Sequence, residues 1–310
     1  MDHDMTFRNT ALPLLARVQG CLSHIELVHI PHPAWPLPPQ ATIPRPIRMA
    51  ILDSSFNPPT LAHLALINAS IPSSDNIEGV EADYDARLLL LSVKNADKVL
   101  KATDATYIQR LQMMCLLSRH IRSSTSPNLE PANVAIGITN EPTFVRKSMC
   151  LLSFLRNRIA SLSSTEIPQL ELAFIIGIDT LERLVAPRYY DSEKSMLVSL
   201  NRFLSPKEDN CVVVCARRNL ATFTGVADKG VESVGEDGIQ DSLKPARQFI
   251  HSGRIKFMDI GADESTFSST TVRGFVKDFG ITEQGRKLWG RFVAQSVAEF
   301  IVSERLYLDE

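Results

Sequence analysis

The sequence predicts an α/β fold, a doubly wound parallel sheet of about five to six strands. Three observations carry that prediction. Short aliphatic runs recur along the chain and do not alternate with polar residues, as expected of strands covered on both faces. Between them lie segments whose apolar residues are spaced to share one helix face. The composition is that of a globular chain: of 310 residues, 44% are hydrophobic and 22% charged, which excludes a wholly disordered chain.

Residues 1–46 stand apart first. Leu12–Ile30 is apolar enough to pack on something, and Pro31, Pro33, Pro36, Pro38, Pro39, Pro44 and Pro46 follow it. Proline fixes φ and has no N–H, so 31–46 reads as an extended connector. Residues 1–46 are therefore read as an N-terminal extension to a domain spanning 47–310. Met49–Asp53 opens that domain as a strand, and Leu61, Leu64 and Ala65 share a face of the helix after it. Leu88–Val93 is the next strand, followed by Tyr107, Leu111, Met114 and Leu117 at helical spacing. Val134–Thr139 is the third, followed by Met149, Leu152 and Leu155. Leu172–Ile178, Cys211–Ala216 and Ile255–Ile260 complete the strands. Phe292, Val293, Val297, Phe300 and Ile301 mark a final amphipathic helix. Ser123–Pro127 and Gly225–Gly238 read as loops, the second within a mobile insertion at 222–247.

Charge and cysteine content narrow the function classes. Lys+Arg is 33 and Asp+Glu 35, a net charge of -2, which excludes a polybasic coat for nucleic acid. The longest apolar runs, Leu88–Leu91 and Leu172–Ile176, fall far short of the ~20 residues of a membrane span. The start, MDHDMTFRNT, lacks the pattern of a signal peptide. Cys21, Cys115, Cys150, Cys211 and Cys215 form no CxxC, and their odd number argues for free thiols in a reducing compartment. Cys211 and Cys215 read as core residues of their strand. There is no GxGxxG, no G-x-S-x-G and no zinc-type ligand spacing. Gly280–Gly285 has P-loop spacing, but Arg286-Lys287 stands where Lys-[Ser/Thr] is required.

The chemistry concentrates in two strings. Asp53-Ser54-Ser55-Phe56-Asn57-Pro58-Pro59-Thr60-Leu61-Ala62-His63 runs directly from a strand into a helix. Thr60 and His63, three apart, point the same way in the first helical turn, where free N–H groups and the dipole attract phosphate. Far away, Phe267-Ser268-Ser269-Thr270-Thr271-Val272-Arg273 puts hydroxyl residues before a helical run and an arginine in its first turn. Taken singly, each string also fits an ordinary capped helix.

Together they resemble the GSFNPxTxxH and ISSTxxR signatures of the nucleotidylyltransferase superfamily with the (H/T)xGH motif. The closest resemblance is to the nicotinamide mononucleotide adenylyltransferases, in a divergent fungal form, and it runs from about residue 49 onward. It implies a Rossmann-like sheet of the nucleotidylyltransferase type. It implies transfer of AMP from ATP to nicotinamide mononucleotide, giving NAD and pyrophosphate, with Mg²⁺ accompanying ATP, no metal held by the protein alone, and a cytoplasmic or nuclear setting. On the matching positions it implies catalytic roles for His63, Thr60 and Arg273. It implies nucleotide contacts from Ser54, Ser55, Phe56, Asn57, Asp179 (in Gly177-Ile178-Asp179), Ser269 and Thr270, and acceptor contacts from Lys94, Phe144 and Arg217. Asn95, Lys98 and Arg218 flank these, and Arg110-Leu111-Gln112-Met113 resembles the family's RxxM. Asp179 also fits a helix N-cap, and Phe144 a core side chain.

Two positions depart from the family pattern. Ser54 stands where the family has glycine. The aromatic that stacks on the pyridine ring, often tryptophan, has no counterpart, since Trp35 lies in the connector and Trp289 near the last helix. A different phosphorylated acceptor, such as phosphopantetheine, and a nucleotide-binding regulatory or scaffold protein stay open as alternatives.

Overall fold

The computed structural model describes residues 2–38, 45–71, 83–94, 103–122, 132–162, 168–217 and 241–308. Helix α1 (Asp2–Gln19) leads into strand β1 (Ile25–His29), and strand β2 (Ile47–Ser54) into helix α2 (Leu61–Asn68). Strand β3 (Ala86–Ser92), helix α3 (Tyr107–Ser118), strand β4 (Val134–Thr139) and helix α4 (Phe144–Leu162) continue the alternation. Strand β5 (Leu170–Gly177) runs directly into helix α5 (Ile178–Leu184), followed by helix α6 (Glu193–Leu204) and strand β6 (Cys211–Ala216). Helix α7 (Arg247–His251), strand β7 (Ile255–Met258) and helices α8 (Ser269–Phe279), α9 (Glu283–Trp289) and α10 (Gln295–Ser303) close the chain.

The strands form one seven-stranded sheet in the order β1-β4-β3-β2-β5-β6-β7. Every pairing is parallel except β1 with β4. The chain steps outward from β2 through β3 to β4, then returns to the other side of β2 with β5. The crevice beyond the C-terminal ends of β2 and β5 is therefore the switch point, where open α/β sheets bind their ligands.

The inner strands do not alternate in sequence because both of their faces are buried. Met49, Ile51, Leu88, Leu90, Leu172 and Phe174 pack on one side with α4 and α6. Ala50, Leu52, Leu89, Leu91, Ala173 and Ile175 pack on the other with α1 and α3. Cys211 and Cys215 are fully buried in β6, as expected of core thiols. A third cluster joins Val272, Val276, Trp289, Val297 and Ile301 of the last three helices to Met113 of α3.

The seventh strand comes from the segment set apart as an extension. Residues 25–29 pair with β4 as an edge strand, so the sheet continues across the boundary expected at residue 46. Its sequence, IELVH, is half-buried in the pattern of an edge, which a search for wholly aliphatic runs passes over. Trp35 in the connector is fully buried, and its carbonyl accepts from Arg158 Nε of α4 at 2.6 Å. His24 Nδ1 pairs with Glu141 Oε1 at 2.8 Å, pinning the start of β1 to the end of β4.

Smaller differences have simple causes. Met149 of α4 is 39% exposed, because the buried face of that helix runs through Leu151, Leu152, Leu155 and Ile159. Phe292 lies in a 3-10 turn before α10. Gly280 caps α8 at φ 69°, and a Cβ on Gly285 would lie 2.2 Å from the Phe279 carbonyl oxygen, so this pair of glycines makes a tight helix–helix turn. Ser123–Pro127 and Gly225–Gly238 lie outside the described residues, whereas Asp241–Ala246 forms a 3-10 turn. Among the described residues, no helix is long and apolar enough to cross a membrane.

Candidate functional site

The site is built on the turn that leaves β2. Phe56 takes a positive φ of 44°, costly for a side chain with a Cβ, and is held there by complete burial against the His63 ring, 5.2 Å between centroids. Thr60, also fully buried, is the N-cap of α2. Its backbone N–H donates to His63 Nδ1 at 3.0 Å, and its hydroxyl lies 2.9 Å from the same nitrogen. An Nδ1 that accepts a backbone N–H leaves the ring proton of a neutral imidazole on Nε2. His63 Nε2 stands 2.9 Å from Ser54 Oγ, which accepts that proton's hydrogen bond. Burial pushes the His63 pKa down to about 4, so the ring is neutral at pH 7.

Asn57 is spent internally. It is 4% exposed. Its Nδ2 donates to Asp104 Oδ1 at 2.7 Å, and its Oδ1 accepts from the Ala105 N–H at 3.3 Å and from the Tyr307 hydroxyl at 2.9 Å. Arg110 of α3 donates to the carbonyls of Ala105 (2.8 Å) and Ser55 (3.4 Å), clamping the same turn from below.

The second string docks on this turn. Ser268, rather than Ser269, is the N-cap of α8, accepting from the Thr271 N–H at 3.0 Å. That frees the Ser269 hydroxyl to donate to the Pro58 carbonyl at 2.8 Å. Arg273 donates to the Asn57 carbonyl and to Thr270 Oγ1 (3.4 Å), with Nε 3.7 Å from Asp104 Oδ1. The N-terminal ends of α2 and α8 therefore sit side by side.

A cavity of about 320 Å³ opens at the C-terminal ends of β2 and β3. Asp53, Ser54 and Ser55 form its β2 side, and Ser92 and Lys94 its β3 side. Phe144 and Lys147 come from α4, Asp179 and Arg183 from α5, and Tyr189 and Tyr190 from the turn beyond. Lys147 and Asp53 form an ion pair, 4% and 8% exposed, at the cavity floor. Lys147 Nζ also lies 5.1 Å from the Phe144 ring centroid.

Of the residues singled out in the sequence, Ser54, Ser55, Lys94, Phe144 and Asp179 line this cavity. His63 stands behind Ser54. Phe56, Asn57 and Thr60 are buried within the turn, and Ser269, Thr270 and Arg273 brace it from the α8 side. Asp179 lies in the first turn of α5, whose N-cap is Gly177. Phe144 both lines the cavity and packs edge-on against core Phe174, 5.6 Å away. Arg217 is elsewhere: exposed at the end of β6, its guanidinium lies over the Phe257 ring at 5.1 Å. Asn95, Lys98 and Arg218 fall outside the described residues. Both tryptophans are fully buried away from the cavity.

Asp53, known from the sequence only as the start of the first string, and Lys147, Arg183, Tyr189 and Tyr190, which no motif marks, also line the cavity. Lys147 follows Phe144 by one helical turn, and the Tyr189-Tyr190 pair follows Asp179 closely. Arg183 follows Asp179 by one helical turn.

No family model matches the chain. Over 161 residues it is 32% identical to a Schizosaccharomyces pombe protein whose curated name assigns it, provisionally, as a nicotinamide mononucleotide adenylyltransferase. That match covers 52% of this chain and 51% of the relative, so the chain matches about half the length of that protein. Among solved structures, Plasmodium falciparum nicotinic acid mononucleotide adenylyltransferase complexed with NaAD aligns at a TM-score of 0.44 and 12% identity, covering 84% of this chain and 97% of that one. The same enzyme complexed with APC aligns at 0.42 and 11%, covering 84% and 96%.

Proposed function

We propose that this chain, which is related to the nicotinamide mononucleotide adenylyltransferases, transfers AMP from ATP to nicotinamide mononucleotide, forming NAD and releasing pyrophosphate. The observation that carries this reading is the meeting of two distant strings at one turn. Ser269 bonds the Pro58 carbonyl and Arg273 the Asn57 carbonyl, so two helix N-termini converge beside a cavity at the sheet's switch point.

The cavity's charge supports an anionic ligand. Lys94, Lys147 and Arg183 outnumber Asp53 and Asp179 on its walls. Tyr189, Tyr190 and Phe144 bring aromatic surface to the same walls, where the sequence had no tryptophan to supply it.

The chemistry asks little of the protein in proton transfer. A phosphate monoester is largely dianionic at neutral pH, with its second pKa near ~6. It can attack the α-phosphorus of ATP directly, forming a new P–O bond as the bond to the β-phosphate oxygen breaks and pyrophosphate leaves. Catalysis is then positioning and charge neutralisation. The turn at Ser54–Thr60 and the first turn of α8 orient the triphosphate. Arg273, already fixed by Asn57 and Asp104, adds a guanidinium beside the leaving group. Mg²⁺ enters as part of the Mg·ATP substrate, held by phosphates and water.

The test is direct. Purified protein is mixed with ATP, Mg²⁺ and either nicotinamide mononucleotide or nicotinic acid mononucleotide, and dinucleotide and pyrophosphate are measured. NAD formed in preference supports the proposal, and preference for the acid form moves the acceptor. ATP binding without turnover on any phosphorylated acceptor would instead mark a nucleotide-binding regulatory protein.

A further inference from the structure

We propose that the group delivering a hydrogen bond from this turn to the phosphoryl oxygens of ATP is the Ser54 hydroxyl, and that His63 is a positioning residue that orients it. The inference rests on the adenylyltransferase reading and deepens it.

Both ring nitrogens of His63 are engaged inside the protein. Nδ1 accepts from Thr60, and the Nε2 proton goes to Ser54 Oγ at 2.9 Å. His63 is not on the cavity wall, whereas Ser54 is. A serine oxygen that accepts one hydrogen bond still carries its own proton. With Nε2–H directed at Oγ, the Ser54 O–H is left to point into the cavity. The relay runs from the Thr60 N–H to Nδ1, and from Nε2–H through Ser54 Oγ–H to a phosphoryl oxygen. Each donor in it is polarised by the bond behind it.

The relay also fits the neutral state of the ring, which is only partly exposed. A neutral imidazole wedged against Phe56 offers no charge to a phosphate, but it offers a fixed N–H. Such a donor can lock the Ser54 rotamer. The Phe56 ring and the Thr60 N–H hold the imidazole in place from two sides. Ser54 is thus a residue that would touch substrate, and His63 acts through it.

Mg·ATP binding, measured by calorimetry on the full chain, tests this without requiring turnover. Ser54→Ala should weaken binding about 10-fold, and Ser54→Thr, which keeps the hydroxyl, should recover most of that loss. His63→Ala should weaken binding by a similar factor. The double variant should be no more than about 2-fold weaker than either single one, because the two side chains form one relay. His63→Gln, which keeps a side-chain N–H, guards against a His63→Ala chain that fails to fold, and it should bind better than His63→Ala. Wild-type affinity in Ser54→Ala, or losses that multiply in the double variant, would overturn the relay alone. Failure of the wild type to bind Mg·ATP would overturn both the relay and the function proposed above.

Discussion

The hydroxyl of Tyr307 donates to Oδ1 of Asn57 at 2.9 Å, joining residues 250 apart in the chain. The same oxygen accepts the Ala105 N–H, and the amide nitrogen reaches Asp104. Two remote segments thus converge on one buried amide in the turn that leaves β2. Asn57→Ala should cost about 2–4 kcal/mol, since it leaves buried donors at Ala105 and Tyr307 without their acceptor. Tyr307→Phe removes one bond with its donor and should cost only about 1 kcal/mol. Equilibrium urea denaturation of the two variants measures both.

Arg273 is the guanidinium that ties the α8 string to the turn. Arg273→Lys keeps the charge but loses the fork that spans the Asn57 carbonyl and Thr270. In the dinucleotide assay it should lower kcat/KM by roughly 10–100-fold with little change in stability. Unchanged kcat/KM would remove Arg273 from the proposed machinery.

The Lys147–Asp53 pair is almost wholly buried at the cavity floor. Lys147→Met leaves the Asp53 carboxylate without its cation and should destabilise the fold by about 3–5 kcal/mol. The double variant Lys147→Met with Asp53→Asn should recover a large part of that loss. Thermal melts of the three proteins are sufficient, with recovery absent if the pair contributes nothing.

His63 imposes a pH dependence on stability whose sign follows from its depressed pKa. Its folded value is about 4, below the ordinary 6.5 of an exposed imidazole. Between those values the unfolded chain binds a proton that the folded chain refuses, so stability rises with pH there. This contribution is present in full above pH 6.5 and is lost as pH falls toward 4, at most about 3 kcal/mol. His63→Gln should show a shallower fall between pH 6.5 and 4.5 than the wild type in denaturant titrations.

Trp35 tests whether the N-terminal segment belongs to the fold. It is fully buried in the cluster that includes Ile47 and Leu155. Trp35→Ala should cost about 3–5 kcal/mol, the range for deleting a core aromatic. Deleting residues 1–46 would uncover the edge of β4 and should give an aggregating chain. A well-folded, soluble deletion product would show that β1 is dispensable.

Much of this protein can be read from residues near one another in sequence. The six aliphatic strands stand out because a strand buried on both faces must be apolar throughout. The turn at Ser54–His63 stands out because a strand end, a proline pair and a helix start are local backbone events. Edge strand β1 escaped because only one of its faces is buried, which leaves a mixed sequence. The cavity walls escaped for another reason. Lys147, Arg183, Tyr189 and Tyr190 are unremarkable in their own segments and acquire meaning only when the sheet order places α4 and α5 beside the end of β2. Ser54 shows the division most clearly. In the sequence it stands where the signature it resembles has glycine. In the folded chain its hydroxyl meets an imidazole whose other nitrogen is already taken, and that contact depends on the path of the turn between them.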